Sequence, residues 1–292
     1  MHSDTVLQPL IIRDTFTIAF KKRVWELDFL RGVCILLMCI DHTVFNFAVT
    51  FKQSWIATGN ENLIELVDLA IKYWGHPARL AAQEAVLWTF FSLCGISIVF
   101  TRNSFLHSAK IILAAGIISA VTLTLVNYNI LNKGDAIRFG VLHMLGTMSL
   151  IVAIIYTFTR KNKWVNFGVF FALAVAVILL DELYLDRVEL HKDIVWLSMF
   201  HENLGHISKF SPGDCFPLIP SAAKVFVGAA LGPLLYGKKK TLLPRLDGSW
   251  YKPVNFVGRH TIWVVLIHQP IIIGTIAVIN YFFLTPGSFG VY

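Results

Sequence analysis

Charge is what this chain has least of. Only 15% of its 292 residues are Asp, Glu, Lys or Arg, where a soluble domain usually carries about a quarter. A fold of this length with a water-facing surface on all sides is therefore not expected. Cysteine is scarce as well. Cys34, Cys39, Cys94 and Cys215 form no CxxC pair, and three of them lie in apolar runs, which argues against a disulfide framework or a zinc site. Residues 1–20 lack a charged start leading into an apolar core and a small-residue cleavage site, so they do not read as a secretory signal. Leu7–Phe20 interrupts its apolar residues with Arg13 and Asp14, as a tail or an interfacial helix would. No internal repeat, low-complexity tract or detachable soluble domain is visible.

What is present is apolar surface: 56% hydrophobic residues, 13% aromatic ones, and a mean hydropathy of +0.65. Crossing about 30 Å of hydrocarbon takes roughly 20 residues of helix. Seven runs come close: Leu27–Thr50, Ala85–Thr101, Ser108–Tyr128, Phe139–Thr159, Trp164–Leu183, Pro217–Tyr236 and Val254–Leu284. Charge placement is an independent check. The dense basic clusters, around Lys21–Arg23, Arg102–Lys110, Arg160–Lys163 and Lys238–Arg245, all fall on one side if the spans alternate. The positive-inside rule makes that side cytoplasmic. The net charge of +7 is then explained by loops beside anionic lipid, and no nucleic-acid partner is needed.

The expected fold is an all-α membrane protein, a bundle of about seven transmembrane helices with a cytoplasmic N-terminus and amphipathic surface helices in the external loops. Residues 1–23 form the tail or interfacial helix, 24–285 a single transmembrane domain, and 286–292 an external C-terminal tail. In the first external loop, Leu63, Leu66, Val67, Ala70 and Ile71 recur at helical spacing within Asn62–Trp74, predicting an amphipathic helix on the surface or over a cavity. Asp193–Leu204 is a second short candidate.

Titratable groups at membrane depth are costly and face a cavity or one another. Arg31 and His42 stand 11 residues apart on the first span, about three turns and about 16 Å of rise, and only about 20° apart around the axis. Asp28 and Asn46 lie near the same stripe, while Asp41 points towards another helix. Arg31 alone would read as a snorkelling side chain paired with Asp28 or Glu26, and His42 alone as a hydrogen bond between packed helices. Their common face favours a functional pair. His143 near the outer start of the fourth span and His268 in the seventh, followed by Gln269 and Pro270, would converge with His42 on a polar cavity. Lys224 enters the sixth span. Asp181 and Glu182 read as an interface boundary, and Gly95, Gly228 and Gly232 as sites of close packing. No two of the three histidines have HxxH or HxxxH spacing, so no metal is expected.

The opening Glu26-Leu-Asp-Phe-Leu-Arg31-Gly32, followed by an apolar helix to His42, resembles membrane acyltransferases of two related groups. These are the acyltransferase-three family and the heparan-alpha-glucosaminide N-acetyltransferase catalytic-domain family. Further blocks favour bacterial members of the second: Phe90–Ser97, Ile137–Gly146, Asp214–Pro220, and Gly258-Arg259-His260 through Ile267–Pro270. They occur in family order across residues 24–275, and it is the ordered set that is specific. The resemblance implies transfer of an acetyl or other acyl group from cytoplasmic acetyl-CoA or another acyl-CoA to a sugar or glycan on the far side. That would take place in a bacterial inner membrane, among membrane lipids, with a homodimer allowed.

Carried over, His42 would be the base or acyl carrier, with His143 and His268 assisting. The cations for the CoA phosphates would be Arg31, Arg102 and Arg259, joined at that side by Lys110. Asn46, His143 or His268 would supply oxyanion donors. In the lysosomal branch the histidine lies in the first loop, which makes His76 the reserve candidate. Ser221 after Pro220 also departs from the family's Pro-Trp. Two other readings compete: a proton-coupled transporter or flippase using Asp41, His42 and His268, and a non-catalytic scaffold whose histidines only join helices.

Overall fold

The computed structural model describes residues 24–129, 131–187, 194–211, 213–238, 240–285 and 287–290. The tail at 1–23, with its Leu7–Phe20 segment, lies outside the described residues. Eleven α-helices occur among the described residues: α1 Trp25–Phe45, α2 Lys52–Ala57, α3 Glu61–Trp74, α4 Pro77–Phe100, α5 Ser104–Asn127, α6 Val141–Thr159, α7 Lys163–Leu183, a short α8 Ile207–Phe210, α9 Leu218–Leu235, α10 Lys252–Arg259 and α11 Thr261–Ile279. Among the described residues, seven helical stretches are long and apolar enough to span a bilayer. The protein is an integral membrane protein of the all-α class.

Local chemistry explains where the helices start. Asn60, His76, Asn103 and Asn162 each accept a backbone N–H of the next turn, the N-cap role that suits short polar side chains. Pro77 occupies the first turn of α4, where its missing N–H costs nothing. The second span thus begins at Pro77, eight residues before the expected Ala85. Arg79 and Glu84 are tolerated in that added stretch because Asp41 and Lys224 neutralise them.

The last span also differs from expectation. Val254–Leu284 is not one helix. It breaks at His260 into α10 and α11. The break lets α10 lie flat on the start of α1, where the Cα atoms of Gly258 and Gly32 press on the backbone carbonyls of Asp28 and Val254. Any side chain at either position would collide with main chain. Gly95 and Gly228 do the same for α4 and α9, facing the carbonyls of Val225 and Ser92, as expected for close packing.

The core gathers Phe91, Met144, Val152, Phe170 and Val225, all fully buried, from α4, α6, α7 and α9. Asn166 ties α7 to α9 by donating to the carbonyl of Ala229 at 3.0 Å, while the Thr159 hydroxyl donates to it at 2.9 Å. The amphipathic helix expected in the first loop is α3, with Leu63, Val67 and Ala70 buried. The second short candidate forms two 3₁₀ turns, 195–199 and 202–204, with Asp193 outside the described residues. A Cβ on Gly205 would lie only 2.7 Å from the Ser198 backbone N, so the segment folds back on itself more tightly than any side chain there would allow.

Candidate active site

One large cavity, about 1370 Å³, runs between α1, α4, α5, α6 and α11. Arg31, Arg102, His107 and Arg259 line one end, here called the inner end, and Asp41, Tyr73, Trp74 and Arg79 line the other. His42, His143, His268 and Gln269 also line it. Single small-molecule sites usually occupy about 300–1,000 Å³, so this space exceeds what one ligand needs.

At the inner end Asp28 is 5% exposed and holds two arginines. Its Oδ1 accepts from Arg31 Nη1 at 2.7 Å and its Oδ2 from Arg259 Nε at 3.3 Å. Arg31 also donates to Ser97 Oγ. Arg31 and Arg259, from the two ends of the sequence, are thus brought together on one carboxylate, and Arg102 stands exposed at the same mouth. Glu26, the other partner considered for Arg31, instead accepts from the Thr241 hydroxyl and the Leu242 N–H at 2.8 and 2.6 Å.

Deeper in, His42 meets His268. His42 Nδ1 lies 3.1 Å from His268 Nε2, and the ring centroids are 4.9 Å apart. The hydrogens on this pair can be assigned. His268 Nδ1 is 2.9 Å from the carbonyl oxygen of Val265 and 3.1 Å from that of Val264. Carbonyl oxygens only accept, so Nδ1 carries the hydrogen. A neutral imidazole has one N–H, so His268 Nε2 is the acceptor and His42 Nδ1 must donate to it. That leaves the lone pair of His42 on Nε2, which has no partner among the described residues.

One turn further out, Asn46 is fully buried. Its Nδ2 donates to the His42 carbonyl at 2.7 Å and to Gln269 Oε1 at 3.0 Å, and its Oδ1 accepts from Thr50 at 2.8 Å. Consecutive residues of α11, His268 and Gln269, therefore grip His42 of α1 and Asn46 just past its end, one turn apart. Asn46, offered above as an oxyanion donor, has spent both of its N–H groups.

His143 lies across the cavity from this pair. Its Nδ1 accepts the Gly140 N–H at 3.2 Å, so Nε2 carries the hydrogen and donates to Ser119 Oγ at 3.1 Å. It fastens α6 to α5 and has no hydrogen bond to His42 or His268. Beside it, Asp214 caps α6 by accepting the Val141 N–H at 2.9 Å. Burial pushes the Asp214 carboxyl up to about 6, partly opposed by that bond. Burial, then the Asp214 charge, also raises the Cys215 thiol to about 11.

Asp41 leaves the histidine stripe, as expected, and pairs with Arg79 of α4, which is 7% exposed and stacks on Trp74 at 3.7 Å. Tyr73 of α3 donates to the same carboxylate at 3.1 Å. His76 caps α4 by accepting the Ala78 N–H at 3.2 Å and does not line the main cavity.

One group of metal-ligand type occurs among the described residues, away from the cavity: Asp181, Asp186 and His201. His201 Nε2 is 2.9 Å from Asp181 and 3.7 Å from Asp186, while Nδ1 accepts the Asn203 N–H. That bond puts the ring hydrogen on Nε2, facing the carboxylates, so the neutral ring offers no lone pair to a metal ion there. Asp181, read from sequence as an interface boundary, thus lies beside a buried histidine.

The fold and cavity define a polytopic helical membrane protein with a fixed histidine pair set between an arginine-rich mouth and an outer opening. Residues 23–270 match the family described as heparan-alpha-glucosaminide N-acetyltransferase, catalytic, and the chain belongs to that family. The membership implies a membrane acetyltransferase-like function. No curated protein and no solved structure matches the chain.

Proposed function

We propose that the protein transfers an acetyl group from acetyl-CoA, bound at the inner end, to a hydroxyl or amine of a sugar acceptor at the outer end, with His42 as general base. The observation that carries this reading is the direction of hydrogens in the His42–His268 pair, which leaves a lone pair on His42 Nε2 in a cavity with cations at one end. Acyl transfer from a thioester needs a base near neutrality, and neutral imidazole meets that need.

The acceptor's lone pair attacks the thioester carbonyl carbon as His42 Nε2 takes its proton. The tetrahedral intermediate then collapses, the C–S bond breaks, and the sulfur leaves with the electron pair and receives that proton. The products are acetylated acceptor and CoA thiol. His268 is a positioning residue: it holds His42 in the reactive tautomer and accepts from the imidazolium that forms. The size of the cavity favours donor and acceptor binding together, and hence direct transfer, over an acyl-histidine intermediate. Arg31, Arg102 and Arg259 are assigned to the CoA phosphates, with the inner end in the cytoplasm of a bacterial cell.

Liposomes holding the purified protein, with radiolabelled acetyl-CoA on the arginine side and acceptor sugars on the other, test the proposal. Wild type acetylates the acceptor, and His42→Ala loses about 10²–10⁴-fold. Full transfer by His42→Ala with loss in His76→Ala reassigns the base. Acceptor transport without acetyl-CoA overturns the enzyme reading.

A further inference from the structure

The base is only half of an acyl-transfer site. The thioester oxygen gains a negative charge in the transition state and needs a hydrogen-bond donor held ready for it. The donors around His42 can be counted from their partners. His42 Nδ1 donates to His268, and His268 Nδ1 to backbone carbonyls. Both N–H groups of Asn46 are engaged by the His42 carbonyl and Gln269. His143 gives its hydrogen to Ser119. Arg79 gives three of its five N–H groups to Asp41 and to Gln83 Oε1, the last at 2.8 Å. Gln83 is exposed to solvent, so neither offers a desolvated donor next to the histidine pair.

Gln269 is different. The orientation of its amide is fixed from outside the residue: the His42 carbonyl forces Asn46 to present nitrogen, and that nitrogen forces Gln269 to present Oε1. Its Nε2 is therefore left without a partner among the described residues, on a residue that lines the same cavity as His42. We infer that Gln269 Nε2 is the oxyanion donor of this site, preset by Asn46. It acts on the oxygen of the thioester carbonyl as electrons shift onto it, and releases it when the carbonyl re-forms. The inference rests on the acetyl-transfer reading above.

The closest replacement is Gln269→Glu, which keeps an oxygen for Asn46 and swaps the free donor for an acceptor of the same size. In the liposome assay with acetyl-CoA varied, kcat should fall about 10²–10³-fold while KM for acetyl-CoA stays within about twofold. A role confined to helix packing would instead lower the melting temperature and leave kcat of the folded fraction unchanged. Gln269→Glu within about threefold of wild-type kcat overturns the inference, as does a fall matched by an equal rise in KM. Asn46→Leu is the second variant. It leaves the Gln269 amide intact but unanchored, and it should lose kcat by a smaller factor; an unchanged kcat there removes the presetting. Activity in wild type with loss in His42→Ala supports the underlying reading separately. A wild type that neither binds acetyl-CoA nor transfers from it overturns both.

Discussion

Replacing His268 by leucine tests the histidine pair most directly. The substitution removes the only acceptor of the His42 Nδ1–H among the described residues. Two losses follow. A buried neutral hydrogen bond of about 1 kcal/mol no longer favours the tautomer with its lone pair on Nε2, which shifts the tautomer ratio about fivefold and lowers the reactive population by at most that factor. When His42 takes the acceptor proton, the same bond would have become charge-assisted, worth about 1.5–3 kcal/mol against the earlier 1. The difference, about 0.5–2 kcal/mol, is a factor of roughly two to thirty in the chemical step.

Together kcat should drop between about twofold and 150-fold, and by less than in His42→Ala assayed beside it, where about 10²–10⁴-fold is lost. His268→Gln keeps an oxygen within reach of His42 Nδ1 and should recover part of the loss. The assay is initial-rate acetyl transfer in liposomes, with binding of acetyl-CoA followed in parallel and expected to be unchanged. The reasoning is refuted if His268→Leu transfers at the wild-type rate while His42→Ala is inactive, or if leucine and glutamine are equally impaired.

Arg79→Met should destabilise the protein by about 3 kcal/mol, because it strands the Asp41 carboxylate beside a buried position; Asp41→Asn added to it should restore most of the melting temperature in detergent. Gly228→Val should lower the melting temperature sharply, since its side chain would meet the Ser92 backbone, whereas Gly168→Ala, whose added Cβ would meet nothing within 4 Å beyond its own helix backbone, should be neutral or slightly stabilising. Asp214 makes the stability pH-dependent. Its carboxyl is raised to about 6 from an unfolded value of about 3.9, so the native state holds the proton more tightly than the unfolded one. Its contribution to stability is then largest below about pH 4 and declines as pH rises through about 6. Thermal melts across that range should lose this decline in Asp214→Asn, and identical profiles for the two proteins would refute the assignment.

Much of this was legible in the sequence because bilayer physics is written in composition. Apolar runs gave the number of spans, and the amphipathic period within Asn62–Trp74 gave α3. Helical geometry alone placed Arg31 and His42 on one face and turned Asp41 away. The rest depended on contacts that no local pattern encodes. Asn46 reads as a free polar group on the histidine stripe, and only the fold shows both its N–H groups engaged. His143 shares the cavity with His42, but its N–H group is given to Ser119. The break at His260 follows from α10 packing on α1 through Gly32 and Gly258, a pairing across more than two hundred residues. Gln269 had a signal, being the residue beside a mid-span histidine and before a proline, but nothing in sequence could say which end of its amide is free.

The inner end shows the same difference between residue type and residue state. Arg31, Arg102 and Arg259 look like three cations waiting for phosphates, yet two of them share Asp28. Their cluster therefore carries a net charge near +1 beside the single charge of Arg102, not +3. Such an arrangement costs some Coulomb attraction for an anionic ligand but holds both guanidinium groups in place before it arrives. Because Asp28 and Arg31 sit on the same helix as His42, that anchored charge stands a set distance, about 16 Å of helix rise, from His42. The backbone contact of Gly258 with Asp28 fixes the inner end of α10, while His268 and Gln269 fix α11 against the outer half of α1. The α10–α11 segment is thus clamped to α1 at both ends of the cavity, so the spacing between the arginines and His42 Nε2 is a property of two packed helices and not of any loop.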